Sequence, residues 1–180
     1  DALVGDGVGA ENLVARSAEL SAVSGIGNGD AGDEADLDTM IAVLAASTES
    51  GDISVENYGA LQIGTVGGTS GVTVVDLASD DSGQDGIAVR AHGALDVTAE
   101  VANHDGGPIV LAAEGTAAAD TLNVNADVRA TGADGDVQLV SAGDLNLQAG
   151  VASASGSGTV ALDAGIDFAG GLMVAGIADS

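Results

Sequence analysis

Apolar residues recur at every second position in three separate stretches of the chain, and each stretch breaks at a glycine before the alternation resumes. The first copy runs Gly51-Asp52-Ile53-Ser54-Val55-Glu56-Asn57-Tyr58-Gly59-Ala60-Leu61-Gln62-Ile63. The second places Ile87, Val89, Leu95 and Val97 around Gly93, and the third places Val137, Leu139, Leu145 and Leu147 around Gly143. A period of two is that of a strand with one buried face. The glycine between two such strands marks a corner, where the backbone takes angles that other residues avoid.

The copies recur with a step. First strands begin at Ile53, Ile87, Ile109, Val137 and Val160, at intervals of 34, 22, 28 and 23 residues. A minimal turn of about 22 residues accounts for the shorter steps, and insertions of roughly 6 and 12 residues account for the others. One insertion lies in 67–86, with an additional strand over 72–77 and an acidic loop over 79–86; the other is the alanine-rich stretch 114–120. Val66, Val101 and Val151 supply a third apolar element in their coils, which implies three faces per turn.

The earlier part of the chain is less regular. Residues 1–12 read as a loop or an edge. Ala18, Leu20 and Ala22 alternate as a strand, in preference to the weak helical face Leu13, Ser17, Leu20, Ser24. An acidic, glycine-rich excursion over 24–38 is expected outside the core, and Ile41, Val43 and Leu44 follow as a short buried strand.

This pattern predicts an all-β fold, a right-handed parallel β-helix (β-solenoid) with coils of about 22–28 residues and loop insertions. It forms a single segment: 1–12 edge or loop, 13–50 irregular first coils, 51–170 regular coils and 171–180 C-terminal edge. Inward residues Ile53, Val55, Leu61 and Ile63 are expected to stack on Ile87, Val89, Leu95 and Val97 of the next coil.

Composition supports a thin, uniform interior. The chain has one Phe, one Tyr and no Trp, so aliphatic side chains supply nearly all the core. There are 28 acidic residues against Arg16, Arg90 and Arg129, for a net charge of −25. Such a surface repels nucleic acid and acidic polysaccharide and attracts divalent cations. No cysteine is present, which rules out disulfides and thiolate metal sites. No apolar run is long enough to span a membrane as a helix, so direct membrane insertion is not expected. The opening Asp1-Ala2-Leu3, without Met or a basic segment, reads as the start of a piece cut from a larger precursor.

Candidate chemistry is sparse. The Gly27-x-Gly29-x-x-Gly32 spacing lacks a following helix and carries Asp30, Asp33 and Glu34, which would repel a phosphate. Asp81 to Gly86 matches only positions 1, 5 and 6 of an EF-hand loop, with Gly83 at position 3 and His92 at position 12. Two looser groups stand as candidate calcium ligands: Asp80, Asp81 and Asp85, and Asn28, Asp30 and Asp33. Solvated turn aspartates are the competing reading. His92 and His104 stand near turns beside Asp96 and Asp105 without a serine-bearing elbow, so no catalytic residue and no enzymatic activity are expected. Asn57, Asn123, Asn125 and Asn146 are candidates for an amide ladder that would stabilise the stack.

The run Leu44 to Val55, followed by Asn57-Tyr58-Gly59-Ala60-Leu61, resembles the coil consensus of filamentous-haemagglutinin-like adhesins and related giant bacterial surface proteins, and Ala18 to Gly27 is similar to the coil that precedes it in them. The resemblance covers most of residues 14–170 and implies a right-handed β-helix, secretion across an outer membrane and an adhesive or spacing shaft. The expected role is therefore a stalk or multivalent adhesion surface at the bacterial cell surface. Expected partners are cell-surface or extracellular-matrix ligands and neighbouring coils or copies. A self-assembling, calcium-dependent filament or sheath subunit is the alternative, and a carbohydrate-active β-helix enzyme the lesser one.

Overall fold

A computed structural model describes residues 12–27, 36–75, 85–131, 135–148, 152–154, 156–165 and 177–178. The described strands are β1 (Leu13–Val14), β2 (Ser17–Ile26), β3 (Leu37–Met40), β4 (Val43–Asn57), β5 (Leu61–Ile63), β6 (Thr65–Val66), β7 (Thr69–Ser70), β8 (Val72–Val74), β9 (Ile87–Ala91) and β10 (Leu95–Val97). They continue with β11 (Val101–Asn103), β12 (Ile109–Ala113), β13 (Leu122–Val124), β14 (Val128–Ala130), β15 (Val137–Ser141), β16 (Leu145–Leu147), β17 (Ala152–Ser153), β18 (Val160–Ala164) and β19 (Ile177–Ala178). There is no helix among the described residues. The strands stack as a parallel β-solenoid of about 5 turns.

Each coil has three faces. The first is built from the end of β4, then β9, β12, β15 and β18, with Ile53, Ile87, Ile109, Val137 and Val160 in one column. These are the five strand starts read from the sequence, so its uneven steps are the true coil lengths. The second face aligns Leu44, Ile63, Val97, Val124 and Leu147. The third aligns Ala46, Val72, Val101, Val128 and Ala152. Strand β4 is long because it bends around two corners, contributing Val43 and Leu44 to the second face, Ala46 to Thr48 to the third and Ile53 to Asn57 to the first.

The core is a set of aliphatic columns. Ile53, Val55, Ile63, Val89, Leu95, Val97, Ile109, Leu111, Leu122, Val124, Val137 and Leu139 are fully buried. Strand rungs lie about 4.7–4.9 Å apart, so each inward residue touches its equivalents above and below. An interior this narrow is filled by Val, Leu and Ile without aromatic rings.

Four expectations need correction. Val66 is not the third face of its coil; it belongs to the antiparallel hairpin β6–β7, and Val72 to Val74 is that face. The additional strand expected over 72–77 is, in its described part Val72–Val74, a regular strand of the coil, and the inserted part among the described residues is the hairpin 65–70; residues 76–84 lie outside the described residues. Val151 also lies outside them. The excursion over 24–38 is not wholly external: Ile26 pairs with Ile53 and Leu37 with Val55, and Ile26, Asp36, Leu37 and Asp38 are buried, so the insertion interrupts one rung of the first face. Finally, the buried strand expected around Ile41 is broken between Met40 and Val43 by a corner, and Val43 is only half-buried.

The corner glycines serve two different needs. Gly59 has φ 129, with nothing within 4 Å of where a side chain would begin. Gly93 and Gly143 lack a positive φ, but a Cβ there would stand 2.7 Å from the Ala60 amide nitrogen and 2.4 Å from the Ala118 carbonyl oxygen. The first glycine supplies a backbone angle; the other two let one coil sit close upon the next.

Candidate functional site

Polar side chains gather in three places. Of these, the corner between the third and first faces holds Asp85, the one candidate calcium ligand that lies among the described residues. Asp52 Oδ1 accepts from the Gly86 amide at 2.5 Å, and Asp85 Oδ2 accepts from the Gly51 amide at 2.5 Å. The Asp85 amide donates in turn to Asp105 Oδ2 at 2.6 Å, and the buried Asn103 donates to the carbonyls of Asp85 and Gly107. A corner turns amides out of the ladder, and carboxylates of the neighbouring coil satisfy them. The carboxylate of Asp85 thus acts as a turn staple. Asn28, Asp30, Asp33, Asp80 and Asp81 lie outside the described residues. No group of three or more His, Asp or Glu that could hold a metal ion occurs among the described residues.

The second place is the outward side of the first face. Ser54 donates to the buried Asp36 at 2.5 Å, and Arg90 reaches Asp36 at 3.9 Å and Glu114 at 3.8 Å. His92 Nε2 meets Glu56 Oε1, and its ring stacks on Tyr58 with centroids 4.9 Å apart and planes 9° from parallel. His92 therefore pairs with a carboxylate 36 residues away and not with nearby Asp96. His104 Nδ1 lies 2.9 Å from Thr131 Oγ1. Neither histidine meets a serine hydroxyl among the described residues.

The third place is the outward side of the second face. The register aligns Asp96, Asn123 and Asn146; Asn123 donates to Asp96 at 2.7 Å and Asn146 to Asn123 at 3.0 Å. This is a short ladder whose amides all donate toward the carboxylate. Asn57 is not part of it. It is fully buried at the corner after the first face, where Oδ1 accepts from Thr39 Oγ1 at 2.9 Å and from the Ile41 amide at 2.8 Å. Asn103, overlooked in the sequence, plays the same part at another corner. Its signal was its place two residues after Val101, the inward position of a strand of period two.

Two further polar contacts tie coils together. Glu19 Oε1 accepts from Thr69 Oγ1 at 2.8 Å and from the Gly68 amide at 3.1 Å, pinning the inserted hairpin to β2. Those hydrogen bonds, the Thr69 hydroxyl foremost, hold the Glu19 carboxyl below its usual pKa. On the third face Arg129 pairs with Glu100 and lies 3.5 Å from Asp127; the Glu100 hydrogen bond raises the guanidinium pKa further.

Chemically, the described surface offers carboxylates, amides and one compact group of ring, guanidinium and carboxylate side chains. In comparison with known proteins, no family model, no curated protein and no solved structure matches the chain.

Proposed function

We propose that the chain is a segment of an extracellular, structural or adhesive β-solenoid from a large secreted bacterial surface protein, serving as a stiff stalk or a multivalent adhesion surface and not as an enzyme. The observation that carries this reading is the continuous register of the first face from β4 to β18, of the second from β4 to β16 and of the third from β4 to β17, despite insertions of different length. From β4 onward the insertions fall between faces, and the strand register carries through them. A stack of about five coils is roughly 24 Å long, and its repeated outer columns present similar groups at regular spacing. Such a surface gains attachment from many weak contacts. The coil consensus around Leu44 to Leu61 supports the comparison with filamentous-haemagglutinin-like adhesins.

The test is display at two valencies. Beads densely coated with the chain should bind immobilised extracellular matrix or epithelial cells, whereas the free chain should bind weakly. Absence of bead binding above that of an unrelated acidic protein of similar charge would overturn the adhesive part of the reading.

A filament subunit remains the second reading, favoured by one observation. Among the described strands, β2 pairs along one edge only, with β4, and β16 and β17 pair only with β13 and β14. Parallel edges at opposite ends could join head to tail. Electron microscopy with calcium and then with chelator would show polymers that form and disperse if this reading is right.

A further inference from the structure

The inserted hairpin β6–β7 folds back along the stack instead of projecting from it. It leaves the chain between β5 and β8, two coils beyond β2, yet it packs against both β4 and β2. Its tip meets Glu19 of β2, roughly 10 Å back along the stack. The span crosses Ala45, the register partner of Glu19 in the intervening coil, and Ala45 is fully buried.

The tip is shaped around the carboxylate. Gly67 has φ 59, and a Cβ there would run into the Glu19 side chain. The Thr69 hydroxyl donates to Glu19 Oε1 at 2.8 Å and the Gly68 amide at 3.1 Å. Turn residues whose N–H groups face one point make an anion-binding nest, and the bound group here is a carboxylate. The hairpin holds the nest in shape through its own bonds: Val66 pairs with Thr69, Thr65 Oγ1 stands 2.8 Å from Ser70 Oγ, and the Gly71 amide donates to the Gly64 carbonyl at 2.8 Å.

We infer that the hairpin is a strap that fastens the coil of β2 to the stack, and that its tip is a carboxylate-binding nest in which Glu19 is the resident ligand. The coil of β2 is the one that needs fastening. Among the described strands β2 pairs along one edge only, with β4, so its hold on the stack is otherwise a single ladder. The strap adds a tie to a coil two turns away, through one tethered carboxylate. The nest itself recognises the carboxylate as a class, because its donors meet only the terminal oxygens of Glu19. With Glu19 absent, a free carboxylate fills the nest but cannot hold two coils together. The inference rests on neither reading of the chain's role.

Hydrogen exchange in Glu19→Ala tests both parts, with acetate as the free carboxylate. The Gly68 amide and the amides of β2 should exchange at least about tenfold faster than in the parent chain, because a charge-assisted bond is lost, whereas those of β15 should not change. Concentrated sodium acetate should slow Gly68 again, more than sodium chloride of equal ionic strength does, and leave β2 fast. In the double variant Glu19→Ala, Thr69→Val, which lacks the hydroxyl donor, acetate should act no more strongly than chloride. Unchanged exchange of β2 in Glu19→Ala would overturn the strap. Equal effects of acetate and chloride at Gly68 in Glu19→Ala, or loss there of the cross-strand contacts between Thr65 and Ser70, would overturn the nest.

Discussion

Asp52 and Asp85 accept reciprocally across adjacent coils: each carboxylate takes the amide next to the other residue, Gly86 for Asp52 and Gly51 for Asp85, both at 2.5 Å. Charge-assisted bonds to half-buried amides contribute about 1.5–3 kcal/mol each. Asp52→Ala and Asp85→Ala should each lower the urea midpoint by a stability loss of about 2 kcal/mol. Because both carboxylates hold one corner, the double variant should lose less than the two losses together. Strict additivity in a double-mutant cycle would show that the two bonds act separately.

Gly71 and Gly59 separate crowding from backbone strain. Gly71 has φ 79, and a Cβ there would lie 1.9 Å from the Glu100 carbonyl oxygen of the next coil, which cannot yield without moving a strand. Gly71→Ala should cost more than about 4 kcal/mol, beyond the ordinary range of point substitutions. Gly59→Ala meets open space and should cost only the strain of its positive φ, about 1–3 kcal/mol. Thermal unfolding of the two variants should rank them in that order.

Asn57 is an interior polar anchor. In Asn57→Ala the Ile41 amide, which now donates to Asn57 Oδ1 at 2.8 Å, loses its partner in a dry corner. An unsatisfied buried donor costs about 1–3 kcal/mol, and hydrogen exchange at Ile41 should accelerate before the distant β15 rung is affected. Uniform acceleration throughout the chain would mean that the corner is not a local unit.

Glu19 links hairpin stability to pH. Its pKa is lowered in the folded chain from the ordinary 4.5, chiefly by the Thr69 hydroxyl and then by the Gly68 amide. A depressed carboxyl stabilises the fold fully above its unfolded pKa, and that contribution fades as pH falls through the folded value. Protection of the Gly68 amide should therefore be constant above about pH 5 and fall in stronger acid. In Glu19→Gln the amide should be less protected at neutral pH, and this acid step should be missing.

Much of the fold was legible because a narrow solenoid makes local pattern and global architecture the same thing. Ile53, Ile87, Ile109, Val137 and Val160 announce their column by position alone, since every coil must bring an aliphatic residue to the same wall. The third face was less legible. Val66 and Val72 are both valines in short alternating runs, and only strand pairing shows that Val72 joins Val101 while Val66 turns away into a hairpin. The candidate site was least legible. The pairing of His92 with Glu56 and the stacking on Tyr58 depend on coil length, and nearby Asp96 offered a nearer but false partner.

By itself the sequence determined the period-two strands, the aliphatic core, the coil steps and the acidic surface, because these follow from residue type and spacing along one chain. Only the tertiary structure decided which residues share a rung. It made Asp85 a staple for Gly51, drew Asn57 into the core, and lined up Val14, Met40, Tyr58 and His92. The reason is geometric: residues 18 to 36 apart become neighbours only when each coil closes, and the insertions alter that distance from turn to turn.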